Sequence, residues 1–437
     1  MINLFYVFNK ASLELYQSFK NARLSATTVV VEDSGFLPAD ILTPYLFFSD
    51  FKVEPHARPK FFNEIKVPEF WEIHGSNQVA NIYNLGEVKA NIQYHSHPQP
   101  RAVHKVEWLD KNSVRFVDIY NQYGHRFSQE VYSSEGKRLF KSYYNQKNEE
   151  IIYENLVTQQ VILKWKQKEY IFDSKTKFVQ FYLEESGMDD SVLNINSLGI
   201  PYFVSIGLGQ GHTNLIWQEQ VNDNIPGNML NMLSVQNNRT YTLLIPDRNE
   251  YERVISRLPH ALTAKVKPFG YVYHFKRNQQ YSKNVLIATN SDQLINFAAI
   301  AEQCPEYTFH IVAITEMSNT LIQYDQYKNV KLYPKASKAT FNHLFEICDV
   351  YLDINKGNEL HSAVRRAFNS NLIIFSFVSI AHNKDVILKE HIFEETQVTE
   401  LTRYMNQLTE EQRDHLIELQ HRHANHIKIS NFIDAIK

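Results

Sequence analysis

Apolar positions along this chain change their spacing twice. Residues 4–8 are a short apolar run, and Leu13, Leu15, Tyr16 and Phe19 recur at roughly helical spacing within 11–21. Residues 26–31 are mostly β-branched. Strand, helix and strand in that order begin a parallel α/β sheet. Near Asp50 the rhythm changes, and from there to about Glu185 short strand-like runs succeed one another with almost no helical pattern. The clearest runs are 114–120, 150–153, 161–165 and 170–172, and Asp110-Lys111-Asn112, Tyr123-Gly124 and Glu135-Gly136 mark turns. This spacing predicts an antiparallel meander inserted into an α/β domain.

The α/β rhythm returns after Gly187. Strands are predicted over 201–206 and 240–245, and a helix over 247–257. From near Tyr271, strands over 284–289, 309–314, 349–354 and 372–377 alternate with helices over 292–302, 340–347 and 360–368. A charged helix covers 410–424. This alternation makes a second doubly wound sheet. The predicted fold class is therefore α/β: a pair of Rossmann-type domains with an inserted antiparallel extended β-sheet domain. The expected boundaries are 1–50 and 186–270 for the first domain, 51–185 for the insert, and 271–437 for the second domain with its C-terminal helix.

Composition narrows the function. A length of 437 residues suits two or three domains, and 43% hydrophobic residues suffice for packed cores. The 13% aromatic content, with 25 Tyr, favours strands and interfaces. A net charge of -3 gives no general argument for a nucleic-acid partner. Cys304 and Cys348 have no second pair beside them, so they read as reduced core thiols of a cytoplasmic protein rather than metal ligands. The apolar N-terminus has no basic region or cleavage site before the first strand, and no run is long enough to span a membrane. Between 100 and 182 there are 14 Lys+Arg against 10 Asp+Glu. That excess of 4 implies at most a weak peripheral contact with an anionic membrane and is read as ordinary surface variation. His95-Ser96-His97 has no visible third ligand and reads as a solvated loop, and His421, His423 and His426 as a solvated helix face. No cofactor or metal is implied.

Two segments carry candidate chemistry. Gly207-Leu208-Gly209-Gln210-Gly211-His212 comes after a predicted strand but matches neither the dinucleotide fingerprint nor the P-loop. It is either a turn needing positive φ or a close backbone approach to a ligand. The second segment, Tyr351-Leu352-Asp353-Ile354-Asn355-Lys356-Gly357-Asn358-Glu359-Leu360, sits at a strand end and leads into Ala363-Val364-Arg365-Arg366-Ala367-Phe368. Here the chain resembles the retaining glycosyltransferases of the two-sheet, GT-B type. In those enzymes this strand–loop–helix carries two glutamates that serve the donor sugar and its nucleotide. They are separated by seven residues, the spacing of Asn358 and Arg366 here, and Ala367-Phe368 matches the Ala and large apolar residue after the second glutamate. Both acids are therefore replaced. A shift by one residue restores Glu359 but sets Ala367 at the second position. Active relatives also carry an Arg and a Lys after the first strand of the donor domain, to neutralise the departing diphosphate. Thr289-Asn290-Ser291-Asp292-Gln293-Leu294 holds no cation and one acid, with Lys283 and Lys356 as the nearby substitutes.

Over its full length the chain resembles one family: the glycosylation-stabilising chaperone subunit of the accessory Sec system in streptococci and staphylococci. Asn3-Leu4-Phe5-Tyr6, Val30-Val31-Glu32-Asp33-Ser34-Gly35-Phe36-Leu37-Pro38 and Leu352-Asp353-Ile354-Asn355-Lys356-Gly357-Asn358-Glu359 carry the likeness. The resemblance implies a pseudo-enzyme, paired in a heterotetramer with a catalytic glycosyltransferase that binds UDP-N-acetylglucosamine. The β-insert would contribute to that pairing. This subunit would hold the serine-rich acceptor polypeptide before export. A groove between the two α/β domains suits an extended acceptor. The expected substrate-binding residues are Gly209, His212, Asn355, Asn358, Glu359 and His361, on the reasoning that open α/β sheets bind ligands at loops after strands. Two other readings stand beside it: an active UDP-sugar-dependent transferase using Glu359 and His361, and a lectin module built on the β-domain.

Overall fold

The computed structural model describes residues 1–76, 78–95, 101–236, 238–276 and 281–437. The chain divides into two compact units, one of Met1–Pro268 with Ala435–Lys437 and the other of Phe269–Asp434.

The first unit is built on a six-stranded parallel sheet. Its strands run in the order Val266–Pro268, Arg239–Ile245, Gly211–Ile216, Val192–Ile195, Ile2–Phe5, Thr27–Val30. The register sets Ile2 opposite both Leu193 and Thr27. Leu4, Val29, Leu193, Leu215 and Leu243 are wholly buried, as strands covered on both faces require. The helix Lys10–Asn21 starts where the Asn9 side chain accepts the Ser12 amide, and it buries Leu15, Tyr16 and Phe19.

A ten-stranded sheet belongs to the same unit. It is an uninterrupted antiparallel meander from Glu72–Gly75 to Lys168–Phe172, each strand paired with its neighbours in sequence. The antiparallel insert thus stands as expected, but the stretch up to residue 185 is not free of helix. Lys175–Ser186 is helical, capped by Ser174 and ended by Gly187 at φ 63. Its buried positions Phe178, Val179, Tyr182 and Leu183 lie one turn apart, a spacing masked by its aromatic composition.

The predicted strand at 201–206 is also a helix, Ile200–Ile206. Pro201 opens its first turn, where a missing N–H costs nothing. The strand is the next segment, Gly211–Ile216. A short apolar run has no periodicity that separates the two states.

The segment 32–37 joins the two sheets of this unit. Glu32 comes just after the strand Thr27–Val30 and accepts from Lys141 Nζ at 2.7 Å and from Lys175 Nζ. Lys175 also meets Glu154 at 2.7 Å. Burial pushes the Glu32 carboxyl up, but the two lysines outweigh it and hold it well below the usual range. Asp33 accepts from the Gly35 amide and the Thr43 hydroxyl; burial nevertheless raises its pKa. Gly35 has φ +83, and a Cβ there would lie 2.7 Å from the Phe127 ring and 2.8 Å from the Tyr120 carbonyl oxygen. Only glycine fits this approach of backbone to the insert.

The second unit carries another six-stranded parallel sheet, in the order Val330–Tyr333, Thr308–Val312, Asn284–Ala288, Val350–Asp353, Ile373–Phe377, Ile392–Phe393. Cys304 and Cys348 are buried and not joined in a disulfide. His421 and His426 are not a solvated face. The His421 ring stacks on Phe275 at 3.7 Å, and its Nε2 meets Asn371 Oδ1 at 2.9 Å. The His426 Nδ1 meets the Tyr271 carbonyl at 3.2 Å. Both are half-buried because the strap around Tyr271–Phe275 packs against the end of the helix Glu410–His423. His95 stacks on Phe36 at 4.0 Å, whereas Ser96 and His97 lie outside the described residues. Among the described residues, no three His, Cys, Asp or Glu side chains gather as a metal site, and no helix is long and apolar enough to cross a membrane.

Candidate functional site

The strand Val350–Asp353 is buried along its length and delivers Asp353 to its carboxyl end. Asp353 holds the turn after the neighbouring strand, Ile373–Phe377. Its Oδ2 accepts the His382 amide at 2.8 Å, and its Oδ1 lies 2.6 Å from His382 Nδ1. The other ring nitrogen, Nε2, lies 2.9 Å from the Gly357 carbonyl. The bond to Asp353 outweighs burial and pushes the His382 pKa up to about 9. The ring is therefore an imidazolium at neutral pH. It donates from both nitrogens and ties the loop 355–361 to the turn below it.

Within that loop Asn355 is buried and fully engaged. Its Oδ1 accepts from Thr289 Oγ1 at 2.9 Å and from the Gly357 amide at 3.1 Å. Its Nδ2 donates to Asn290 Oδ1 and to the Asn358 carbonyl, both at 3.1 Å. An amide side chain has two donors and two acceptor lone pairs, so none is left for a ligand. Glu359 is engaged too: its Oε1 accepts the Val364 amide at 2.9 Å and caps the helix Ala363–Asn369. Asn358 and His361 are exposed. His361 and Ser362 both have left-handed backbone, φ 48 and 52, so the chain reverses sharply before the helix.

Arg366 stands where the second glutamate of an active transferase is expected. Its guanidinium lies over the rings of Phe341 and Phe345 at 4.7 and 4.6 Å and donates to Asn342 Oδ1. The arginine thus packs onto the helix Lys338–Ile347.

Beside this loop, at the carboxyl ends of Asn284–Ala288 and Thr308–Val312, is a cleft of about 410 Å³. Thr289, Asn290, Ser291, Asp292, Thr315 and Glu316 line it, and among the described residues no cation does. Lys283 is no substitute: it precedes the strand, at the opposite end, and pairs with Glu306. A diphosphate here would face the carboxylate of Asp292, whereas Glu316 is ion-paired with Lys335.

Gly209 and His212 belong to the other unit. Their loop comes after the helix Ile200–Ile206, and His212 is the second residue of the strand Gly211–Ile216. They therefore lie at the amino end of their sheet, not at a strand's carboxyl end, and the premise that a strand precedes this loop is corrected. Gly207, Gly209 and Gly211 are absent from the positive-φ residues, so the turn reading does not hold either. The His212 ring is spent within the sheet, on Thr240 Oγ1 at 2.7 Å and Asn214 Oδ1 at 2.9 Å. Asn214 continues a buried amide ladder: its Nδ2 donates to Asn194 Oδ1, whose own Nδ2 donates to Asn3 Oδ1, each at 2.9 Å. Sequence reasoning missed Asp353 and His382 as the pair that shapes the candidate loop. A buried acid ending a strand was the available signal for Asp353; nothing local marks His382.

The chain matches four family models in succession: the GtfB N-terminal domain over 2–48, the GtfB middle domain over 71–173, the GtfB third domain over 175–257, and the GftB/GlyA-F C-terminal domain over 285–422. It is 37% identical over 411 residues to the UDP-N-acetylglucosamine–peptide N-acetylglucosaminyltransferase stabilizing protein GtfB of Streptococcus agalactiae, covering 94% of this chain and 93% of the relative. The Streptococcus gordonii protein of the same name is 37% identical over 443 residues, covering 100% and 98%. A chain in the crystal structure of a GtfA/B complex bound to UDP and GlcNAc superposes with a TM-score of 0.88 at 37% identity, over 100% of this chain and 99% of that one. With likeness of this extent carried by every domain in order, the chain belongs to the GtfB family of peptide N-acetylglucosaminyltransferase stabilizing proteins.

Proposed function

We propose that this chain is the non-catalytic, acceptor-holding and stabilising subunit of a protein O-GlcNAc transferase. Its partner is the catalytic glycosyltransferase subunit, in a heterotetramer, and its substrate is a serine-rich repeat adhesin, glycosylated in the cytoplasm before export by the accessory Sec system. The observation that carries the pseudo-enzyme reading is the donor-like loop. The expected acids are Asn358 and Arg366, and Arg366 is stacked on aromatic rings. Among the described residues no cation lines the adjoining cleft, where a diphosphate needs one, and Lys335 beside it is engaged by Glu316. The alternative reading, an active UDP-sugar transferase, needs Glu359 free for chemistry; its capping bond to Val364 speaks against that.

Acceptor contact at the loop would rest on the exposed Asn358 and His361, with Asn355 and Glu359 holding the loop in shape. Gly209 and His212 draw no support from their place at the amino end of their sheet. The antiparallel sheet supports the pairing role. Its outer strands, Glu72–Gly75 and Lys168–Phe172, have one unpaired edge each among the described residues. Large apolar side chains stand exposed nearby: Phe70 87%, Leu85 99% and Ile171 62%. The test is transfer of labelled GlcNAc from UDP-GlcNAc to a serine-rich peptide by this chain, by the catalytic subunit, and by both together. The expected result is no transfer by this chain alone, with increased transfer and longer-lived activity when the two are combined. Transfer by this chain alone overturns the proposal.

A further inference from the structure

A second concavity, of about 420 Å³, opens in the first unit, on the β-insert. Lys60, Lys66, Tyr120, Gly124, His125, Arg126 and Asn148 line it. Three cations, an imidazole, a phenol and an amide therefore face one space, with no carboxylate among the described residues that line it.

The acids nearest this space are already engaged. Glu64 is paired with Arg58 at 2.6 Å. Asp118 accepts from Arg126 Nη1 at 3.2 Å, from Trp108 Nε1 and from Gln129 Nε2, both at 2.8 Å. Arg126 lies over the Tyr144 ring at 4.6 Å, which fixes its plane while leaving most of its five N–H donors unused by Asp118. Lys60 approaches the Tyr120 ring at 5.6 Å and acts on Glu64 only at longer range, with no close ion pair among the described residues. Lys66 is exposed and equally without a carboxylate among the described residues. The His125 ring is half-buried beside the backbone of Tyr144 and Asn145, and its Nε2 has no close hydrogen bond among the described residues.

The backbone is preset as well. Gly124 has φ +78, and a Cβ there would meet the Arg58 carbonyl oxygen at 2.6 Å. The Asn121 side chain accepts the amides of both Tyr123 and His125, which holds this turn against the pocket. The surrounding scaffold is sheet: Arg126 opens the strand Arg126–Tyr132 with His125 just before it, and Tyr120 ends Ser113–Tyr120.

With Arg126 set against Asp118, Lys60 and Lys66 leave the lining about two net positive charges. The geometry points to a site for a tetrahedral phosphate-class dianion, either a free small phosphate or the phosphate of an anionic lipid headgroup. A phosphate monoester carries about −1.5 to −2 charge at neutral pH and several strong acceptor oxygens, which matches a ring of separated donors better than one carboxylate does. Fixed Arg with mobile Lys is a common way to hold such a group. This site goes beyond acceptor holding and partner stabilisation, and its test does not depend on either.

Calorimetric titration of the full chain with sodium phosphate and with sodium sulfate, at constant ionic strength set by sodium chloride, reads the site directly. The expected result is saturable binding of both oxyanions. Lys60→Ala/Lys66→Ala should weaken it at least about tenfold. Lys168→Ala, on the remote outer strand, should leave it unchanged. The two pocket lysines are solvent-facing, so the double variant should retain the wild-type melting temperature; equal loss in Arg126→Lys provides an independent check on the guanidinium. A vesicle arm separates the two sources. Flotation with vesicles of about 30:70 phosphatidylglycerol:phosphatidylcholine, an anionic surface, is repeated with added phosphate. Binding that phosphate displaces identifies the headgroup, and absence of vesicle binding identifies a free phosphate. No saturable oxyanion binding by the wild-type chain, binding unchanged in the double variant, or vesicle binding indifferent to both phosphate and the lysines overturns the proposal.

Discussion

Replacing Glu32 by Gln should be among the most damaging single changes on this chain. The carboxylate is 16% exposed and bridges Lys141, 6% exposed, and Lys175, 14% exposed. Gln removes the charge and keeps the shape. Lys175 retains Glu154, but Lys141 loses its short ion pair, and two ammonium groups are left sharing a dry site. Breaking a buried pair by removing one partner costs about 3–5 kcal/mol. Because Lys175 keeps one partner, the expected loss is near the lower figure, about 3 kcal/mol. Urea unfolding monitored by tryptophan fluorescence measures it, with the slope of the transition checked for constancy. The double variant Glu32→Gln/Lys141→Met removes the stranded charge as well and should recover about half of the loss. The pH dependence has a definite sign. The folded carboxyl is depressed below its ordinary value of 4.5, so this stabilisation is present above that pH and is lost as the pH falls further. A cost below about 1 kcal/mol, the range of an exposed pair, would refute the view that the two sheets are locked through this residue.

The His382 pKa is raised to about 9, so its bond to Asp353 stabilises fully below the unfolded value of about 6.5 and is lost as the pH rises through 9; the shift corresponds to about 3 kcal/mol, and a wild-type unfolding free energy that stays flat across this window, or that matches His382→Gln, would contradict it. His310, His391 and His421 are instead pushed down to about 4 by burial, so the second unit should lose stability as the pH falls from about 6.5 towards 4, seen as a falling melting temperature. Restoring both acids, as Asn358→Glu/Arg366→Glu, should yield no hydrolysis of UDP-GlcNAc, because the cleft still lacks phosphate cations; product release above background would show that the acids alone were missing. Phe70→Ser/Leu85→Ser should leave the melting temperature within about 1 °C while lowering recovery of the catalytic subunit in co-purification; undiminished recovery would move the pairing surface elsewhere.

Much of this protein was legible along the chain, and the reason is locality. The parallel–antiparallel–parallel order appears as a change of apolar period, since side-chain direction in strand and helix depends only on near neighbours. The non-acidic residues at the two positions where an active transferase would carry glutamates are legible for the same reason, because Asn358 and Arg366 sit within one loop and one helix turn of each other. Where a segment was short, the period ran out: 201–206 reads as strand and folds as helix, and 175–186 shows almost no helical signal yet is a helix, because Pro201 and the packing of Phe178, Val179 and Tyr182 decide what a handful of apolar residues cannot. The error at 201–206 carried His212 from the amino to the carboxyl end of its sheet. The tertiary structure alone decided the rest. Glu32 meets lysines 109 and 143 residues away, and Asp353 meets a histidine 29 residues away. Those pairings raise one pKa and lower another. The same kind of contact helps use up the polar atoms of Asn355, which bonds Thr289 66 residues away. A polar side chain in a sequence is only a set of donors and acceptors; whether they face a ligand or a neighbour depends on contacts that chain separation hides.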